Sequence, residues 1–162
     1  MTASPSPSAS NLPAPAVPSP NHVLLAPGST AKIRSPIAVA IFSFITLGIY
    51  MIFWWYYVNR EMADYGRARG TAELGDDPWK STLALFPGGL IIVPAIWTMV
   101  TTFQRQQAAQ RLTGETLLNG WLAFLLVIVF SPAFAGYMQS GLNGSWLAAA
   151  GSAPPQEAPA GA

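Results

Sequence analysis

Three stretches of the chain carry no charged side chain, and the predicted elements follow from them. The first, residues 36–58, reads PIAVAIFSFITLGIYMIFWWYYV, with Arg34 and Arg60 as its nearest charges. As a helix it is about 35 Å long. The hydrocarbon core of a bilayer is about 30 Å thick and takes roughly 20 apolar residues to cross. The second stretch lies between Lys80 and Arg105, and the third runs from Asn119 to Gln139. The pattern predicts an all-α integral membrane protein with three hydrophobic helical segments, at about 36–58, 81–103 and 119–139, and helical extensions beyond them.

The polar residues at the margins supply starts and stops. Ser35-Pro36 and Asp77-Pro78 each offer an N-cap followed by proline at the first helical position, and Asn119 can cap the third helix. Gly70 and Thr113-Gly114 are stops. Residues 59–69 continue the first helix into water, with Arg60, Asp64 and Arg67 on one face. Residues 104–112 extend the second in the same way. Two places inside the segments admit more than one reading. At Thr46-Leu47-Gly48, either Gly48 allows a neighbouring helix close approach, or the segment breaks and returns as a re-entrant hairpin, whose bend must be satisfied by protein or water. In the second segment, Pro87-Gly88-Gly89 and Pro94 are expected to kink or locally open the helix.

Amphipathic side chains mark the expected water boundary. Trp54, Trp55, Tyr56 and Tyr57 end the first segment, Trp79 and Lys80 begin the second, and Trp121 and Tyr137 bracket the third. Small or flat residues recur every four positions at Pro132, Gly136, Ser140 and Gly144. With Gly48, the first three are the candidate helix-packing positions. Gln139 and Asn143 follow at the same spacing, with amides suited to a neighbouring helix or to headgroups.

Composition supports lipid as the solvent. Charged residues are 9% of the chain, against about 25% in soluble domains. The net charge of +1 lacks the clustered Lys and Arg that nucleic acid needs. There is no cysteine, which excludes a disulfide framework and a thiol nucleophile. The tails differ from the middle. Residues 1–31 hold seven prolines and six serines and are expected to be disordered with polyproline II character. Residues 147–162, rich in Ala, Gly and Pro, are expected to be disordered too, leaving 32–146 as the membrane domain. His22, the sole histidine, falls in the first tail. The chance match of Pro15-Ala-Val-Pro18 to PxxP reads as linker. Glu73, Asp76 and Asp77 fall short of a calcium loop, which spaces six to eight oxygens, and read as capping charges.

The order RSPIAVAIFSFITLGIYMIFWWYYVNREM resembles the signature of a bacterial membrane family known as domain of unknown function 4234. A basic residue and a proline precede the apolar run, a TLGIY-like element follows, then an aromatic block and Asn-Arg-Glu. The ending YMQSGLNGSW is similar to the Gln…Leu-Asn ending of such members. The resemblance covers about residues 32–146. It implies a small multi-pass bacterial inner-membrane protein and supplies no catalytic residues.

Orientation follows from basic residues. With three crossings, Lys32, Arg34, Arg105 and Arg111 face one side, and Arg60, Arg67, Arg69 and Lys80 the other, a tie. A re-entrant first segment makes the count six against two. A cytoplasmic amino terminus suits both. No Asp, Glu, Lys, Arg or His lies within a segment, so no intramembrane proton relay, ion pair or metal site is available. No catalytic, cofactor-binding or metal-ligating residue is expected, and no enzyme. The expectation is a structural, partner-binding membrane component that contacts the lipid bilayer and a membrane-protein partner or a second copy of itself, with no nucleic acid. An oligomeric pore or transporter subunit, motivated by the broken second segment, is the alternative.

Overall fold

The computed structural model describes residues 21–86 and 92–152. The protein is mostly helical. A β-hairpin, β1 (His22–Ala26) and β2 (Ser29–Lys32), precedes five helices: α1 (Pro36–Ile45), α2 (Ile49–Arg69), α3 (Pro78–Leu85), α4 (Ile92–Thr113) and α5 (Gly120–Ser152). The anticipated caps are used. The Ser35 hydroxyl accepts from Ala38 N–H, the Asp77 carboxylate from Trp79 and Lys80 N–H, and the Asn119 amide oxygen from Trp121 and Leu122 N–H.

The first apolar segment is not one helix over 36–58. It stops at Ile45, turns through Thr46–Gly48 and comes back. Leu47 and Gly48 take positive φ values of 51° and 90°, which reverses the chain within a few residues. The two limbs then run side by side. The Phe42 and Tyr50 rings lie 5.6 Å apart near the turn, and Arg34 meets Glu61 at 2.7 Å at the open end. The second segment reverses as well. The Thr98 hydroxyl donates to the Ser81 carbonyl at 3.0 Å, whereas a straight helix would hold these residues about 25 Å apart. The anticipated bend at Pro87-Gly88-Gly89 lies outside the described residues. Pro94 sits near the start of α4, where its missing N–H costs little.

The third segment behaves alike, although α5 reads as one long helix. By length and composition, Gly120–Gly151 alone among the described helices is long and apolar enough to cross a membrane. Its backbone leaves helical values at Phe130 (φ −158°, ψ 86°), just before Pro132. Beyond that point the chain returns: Asn119 N–H donates to the Tyr137 hydroxyl at 2.8 Å. On a straight helix these residues stand about 27 Å apart, far beyond a tyrosine's reach. Leu118 likewise lies against Gly141, and Glu115 against Gly144. The expected span 119–139 is therefore a bend with two limbs, 120–129 and 131–152.

The fold is thus three helical hairpins, each a short limb followed by a longer return. Their N-caps fall at Ser35, Asp77 and Asn119, equal steps of 42 residues. Packing brings the hairpins together. Gly136 abuts α1, where an added Cβ would lie 2.8 Å from the Pro36 carbonyl oxygen. Phe44 meets Phe130, and Trp55 meets Phe134. At the open end the long limbs enclose a core of Met62, Tyr65, Leu74, Leu142 and Trp146.

Two tail assignments change. Residues 22–32, of which 22–31 fall in the stretch expected to be disordered, form an antiparallel ladder pairing His22 with Lys32 and Val23 with Ala31. Pro27-Gly28 makes the turn, with Gly28 at φ 79°, as proline and glycine favour in adjacent turn positions. Buried Leu25 and Ala31 fasten the ladder to the helices. Residues 147–152 continue α5, because Ala149 still packs into the core.

Candidate functional site

The hairpins divide the molecule into two unlike ends. At the closed end the large apolar side chains face outward: Leu47 is 93% exposed, with Ile45, Phe86, Ile128 and Val129 around the same level of their hairpins. At the open end lie the charges. Arg34 and Glu61 form a bidentate pair (3.0 and 2.7 Å), with side chains only 13% and 11% exposed. Glu61 also accepts from Lys32 N–H. Asp64 joins Arg60 and Arg67, Lys80 lies by Asp77, and Arg105 lies against Gly75. Arg111 shares a shallow depression with Glu73 and Arg105.

Polar side chains fasten the hairpins together just inside this end. The Trp54 indole donates to Gln139 at 2.7 Å, and Gln139 donates to Asn143. Asn143 in turn exchanges hydrogen bonds with both main-chain groups of Arg34. A second network centres on Asn59, whose oxygen accepts from Thr102 and from Arg105. Arg105 donates also to the Ser81 hydroxyl at 2.7 Å. Gln106 donates to the Met138 carbonyl, and Gln110 both donates to the Thr116 carbonyl and accepts from Leu118 N–H. A buried amide left unpaired would cost about 1–3 kcal/mol, so these bonds make the hairpin arrangement specific.

The closed end solves a different problem. A chain reversal exposes N–H and C=O groups that lipid cannot satisfy. At the first turn the chain supplies its own partners. Leu47 N–H donates to the Phe44 carbonyl, Gly48 N–H to Ser43 and Ile49 N–H to Thr46. The Thr46 hydroxyl donates to the Phe42 carbonyl at 2.6 Å and accepts from Tyr50 N–H at 2.9 Å. Thr46, Leu47, Gly48 and Tyr50 of the TLGIY element are therefore a self-contained turn.

A groove of about 520 Å³ opens beside α2, beneath the β-hairpin. Lys32, Arg34 and Arg60 line it with Glu61 and Asp64. Phe53 and Tyr57 form its apolar wall, and His22 stands at its rim.

The anticipated boundary residues separate into two groups. Tyr57, Trp79 and Trp121 are exposed, Trp121 at 82%, and Lys80 points outward. Tyr56 stacks against Trp79 at 4.9 Å, and Tyr137 is tied to Asn119. Trp54 and Trp55, expected at the boundary, are instead core residues, because the turn at Gly48 swings that face of α2 onto α5. Among the packing candidates, Gly136 receives α1. Gly48 meets nothing within 4 Å and serves the turn. Pro132 follows the Phe130 bend, and Ser140 is exposed, bonded to its own helix. Glu61, Asn59 and Arg105 had no assigned role in the sequence reading. Glu61 was legible, since it shares the buried face of α2 with Trp54, Val58 and Tyr65.

No curated protein and no solved structure matches the chain. Residues 34–79, which hold the first hairpin with its turn, its ion-paired arginine and glutamate, and the cap of the next, fit the family model described as Domain of unknown function (DUF4234), the family that the TLGIY, aromatic and Asn-Arg-Glu order resembles.

Proposed function

We propose that the protein is a non-enzymatic, membrane-embedded structural component that presents its charged end to a partner. One observation carries this reading: exposed apolar side chains cluster around the described turns of the first and third hairpins, away from the charged side chains gathered at the open end. Burying an exposed Leu, Ile or Phe is worth about 1.5–3 kcal/mol, so the closed end favours lipid strongly. The charged end and its groove remain in water, where a protein partner or a second copy docks. The groove carboxylates are held by arginines, and the sole histidine is the exposed first residue of β1, an arrangement that suits binding better than acid–base catalysis. In the second hairpin Arg105 bonds to Ser81 and, across to the first hairpin, to Asn59, which favours a packed structure over a water-filled pore.

Alkaline carbonate washing of membranes tests the lipid reading: the chain stays in the pellet, and its release into the supernatant sinks the idea. For the partner, a photo-crosslinking residue replacing Arg60 at the groove should yield a discrete adduct, whereas the same residue replacing Phe86 should react with lipid alone.

A further inference from the structure

We propose that the closed ends of the first and third hairpins enter one leaflet only, and that no helix among the described residues crosses the bilayer. This rests on the membrane reading above and specifies which part of the membrane is the partner: the acyl chains of a single monolayer.

Four observations converge. The first is reach. The short limbs α1 and 120–129 of α5 have about ten residues each, about 15 Å at helical rise. That is half of a hydrocarbon core about 30 Å thick. The second is the placement of charge. The eight Lys and Arg of the sequence all lie at the open end or on the loops that join it. A spanning protein shares its polar loops between two faces. The count, tied for three crossings, becomes eight against none. The third is the aromatic boundary. Tyr57, Trp79 and Trp121 stand at the limb bases, whereas spanning proteins carry such rings at both surfaces. The closed ends of the first and third hairpins carry mainly Leu, Ile, Val and Phe, with Tyr50 packed on Phe42 beside the first turn. The fourth is the first turn itself, whose N–H groups are bonded within the chain. A turn in hydrocarbon requires this, and the first turn meets the requirement, although the open-end turns at Gly70 and Gly114 are bonded in the same way.

A second copy covering the closed ends is the rival occupant. It gives no reason for limbs that match half a bilayer or for a single aromatic boundary. By the positive-inside rule the occupied leaflet is the cytoplasmic one.

The full chain has no cysteine, which makes the test direct. Single cysteines replace Thr30, Ala68, Thr116 and Gly151, all exposed, and a membrane-impermeant maleimide is applied to intact cells and to inverted membranes. All four should react only in inverted membranes. Any crossing within 36–58, 81–103 or 120–151 places at least one of them on the opposite side, and that result overturns the proposal while leaving the membrane reading intact. Leu47→Cys and Phe130→Cys, carrying a fluorophore, should both be quenched best by lipids brominated near the chain ends. Quenching best by headgroup labels would overturn the proposal. Release of the unlabelled chain by carbonate overturns both readings.

Discussion

Thr46 is the most economical residue in the first turn. One hydroxyl satisfies a carbonyl at the end of α1 and an N–H at the start of α2. Thr46→Val keeps the shape and removes both bonds, so it should cost about 1–3 kcal/mol, read as a lowered midpoint of thermal unfolding in detergent; Thr46→Ser should recover most of it. Arg34 and Glu61 pose the opposite case, a mostly buried charge pair. Arg34→Ala leaves Glu61 with only the Lys32 N–H, at an expected cost of about 3 kcal/mol. Arg34→Ala combined with Glu61→Gln should cost less than Arg34→Ala alone. Equal losses would mean that the pair is not coupled. Trp54 shows how a residue misleads when read in isolation. A Trp-Trp-Tyr-Tyr run is typical of a membrane boundary, yet the buried Trp54 indole is claimed by Gln139, 85 residues away along the chain.

At the scale of elements, Gly136 joins two of the hairpins. Because a Cβ there would press on the Pro36 carbonyl at 2.8 Å and on Ala40 at 3.2 Å, Gly136→Leu must push α1 away from α5. We expect a loss of about 1–3 kcal/mol, with self-association of the purified protein unchanged, since the contact is within one chain. Circular dichroism melts and light scattering check the two halves of that statement. Helix starts were legible in the sequence because capping is local: Ser35, Asp77 and Asn119 act within three residues of themselves. The reversals were less so. Thr46-Leu47-Gly48 allowed both a straight helix and a bend, since its decisive hydrogen bonds link residues four apart and form only after the chain has turned. The bend at Phe130 had no glycine to announce it, only the Ser131-Pro132 pair that follows it. A cue was nonetheless present in the equal steps of 42 residues between caps. Periods of that size point to a repeated supersecondary unit, even where side chains differ from one copy to the next. The β-hairpin was hidden by the composition of its surroundings. His22 to Lys32 pairs, and the Pro-rich composition of the sequence before it obscured a short alternation of exposed and buried positions.

For the whole molecule, the division into an apolar and a charged end sets how it meets its solvent. A charge introduced at the apex strikes the proposed lipid contact without touching the packed core. Leu47→Glu, at the most exposed apolar position, should leave the helical content unchanged while weakening partition into vesicles. Insertion scales put a mid-membrane charge at roughly 3 kcal/mol. Flotation with phosphatidylcholine–phosphatidylglycerol vesicles measures it, and unchanged flotation would mean that the apex does not reach hydrocarbon. The groove was the least legible part of the candidate site. Lys32 comes from β2 and Arg60 and Tyr57 from α2, and only the folded arrangement of the two elements lines them up.

The three reversals also bear on how such a chain reaches its destination. A hairpin whose two ends stay on the same face never drags a hydrophilic loop through oil, so the steepest barrier to entering a membrane is missing from its route. Diluted out of urea into preformed, protein-free vesicles, the chain should therefore insert unaided and become resistant to carbonate, with no translocation machinery present.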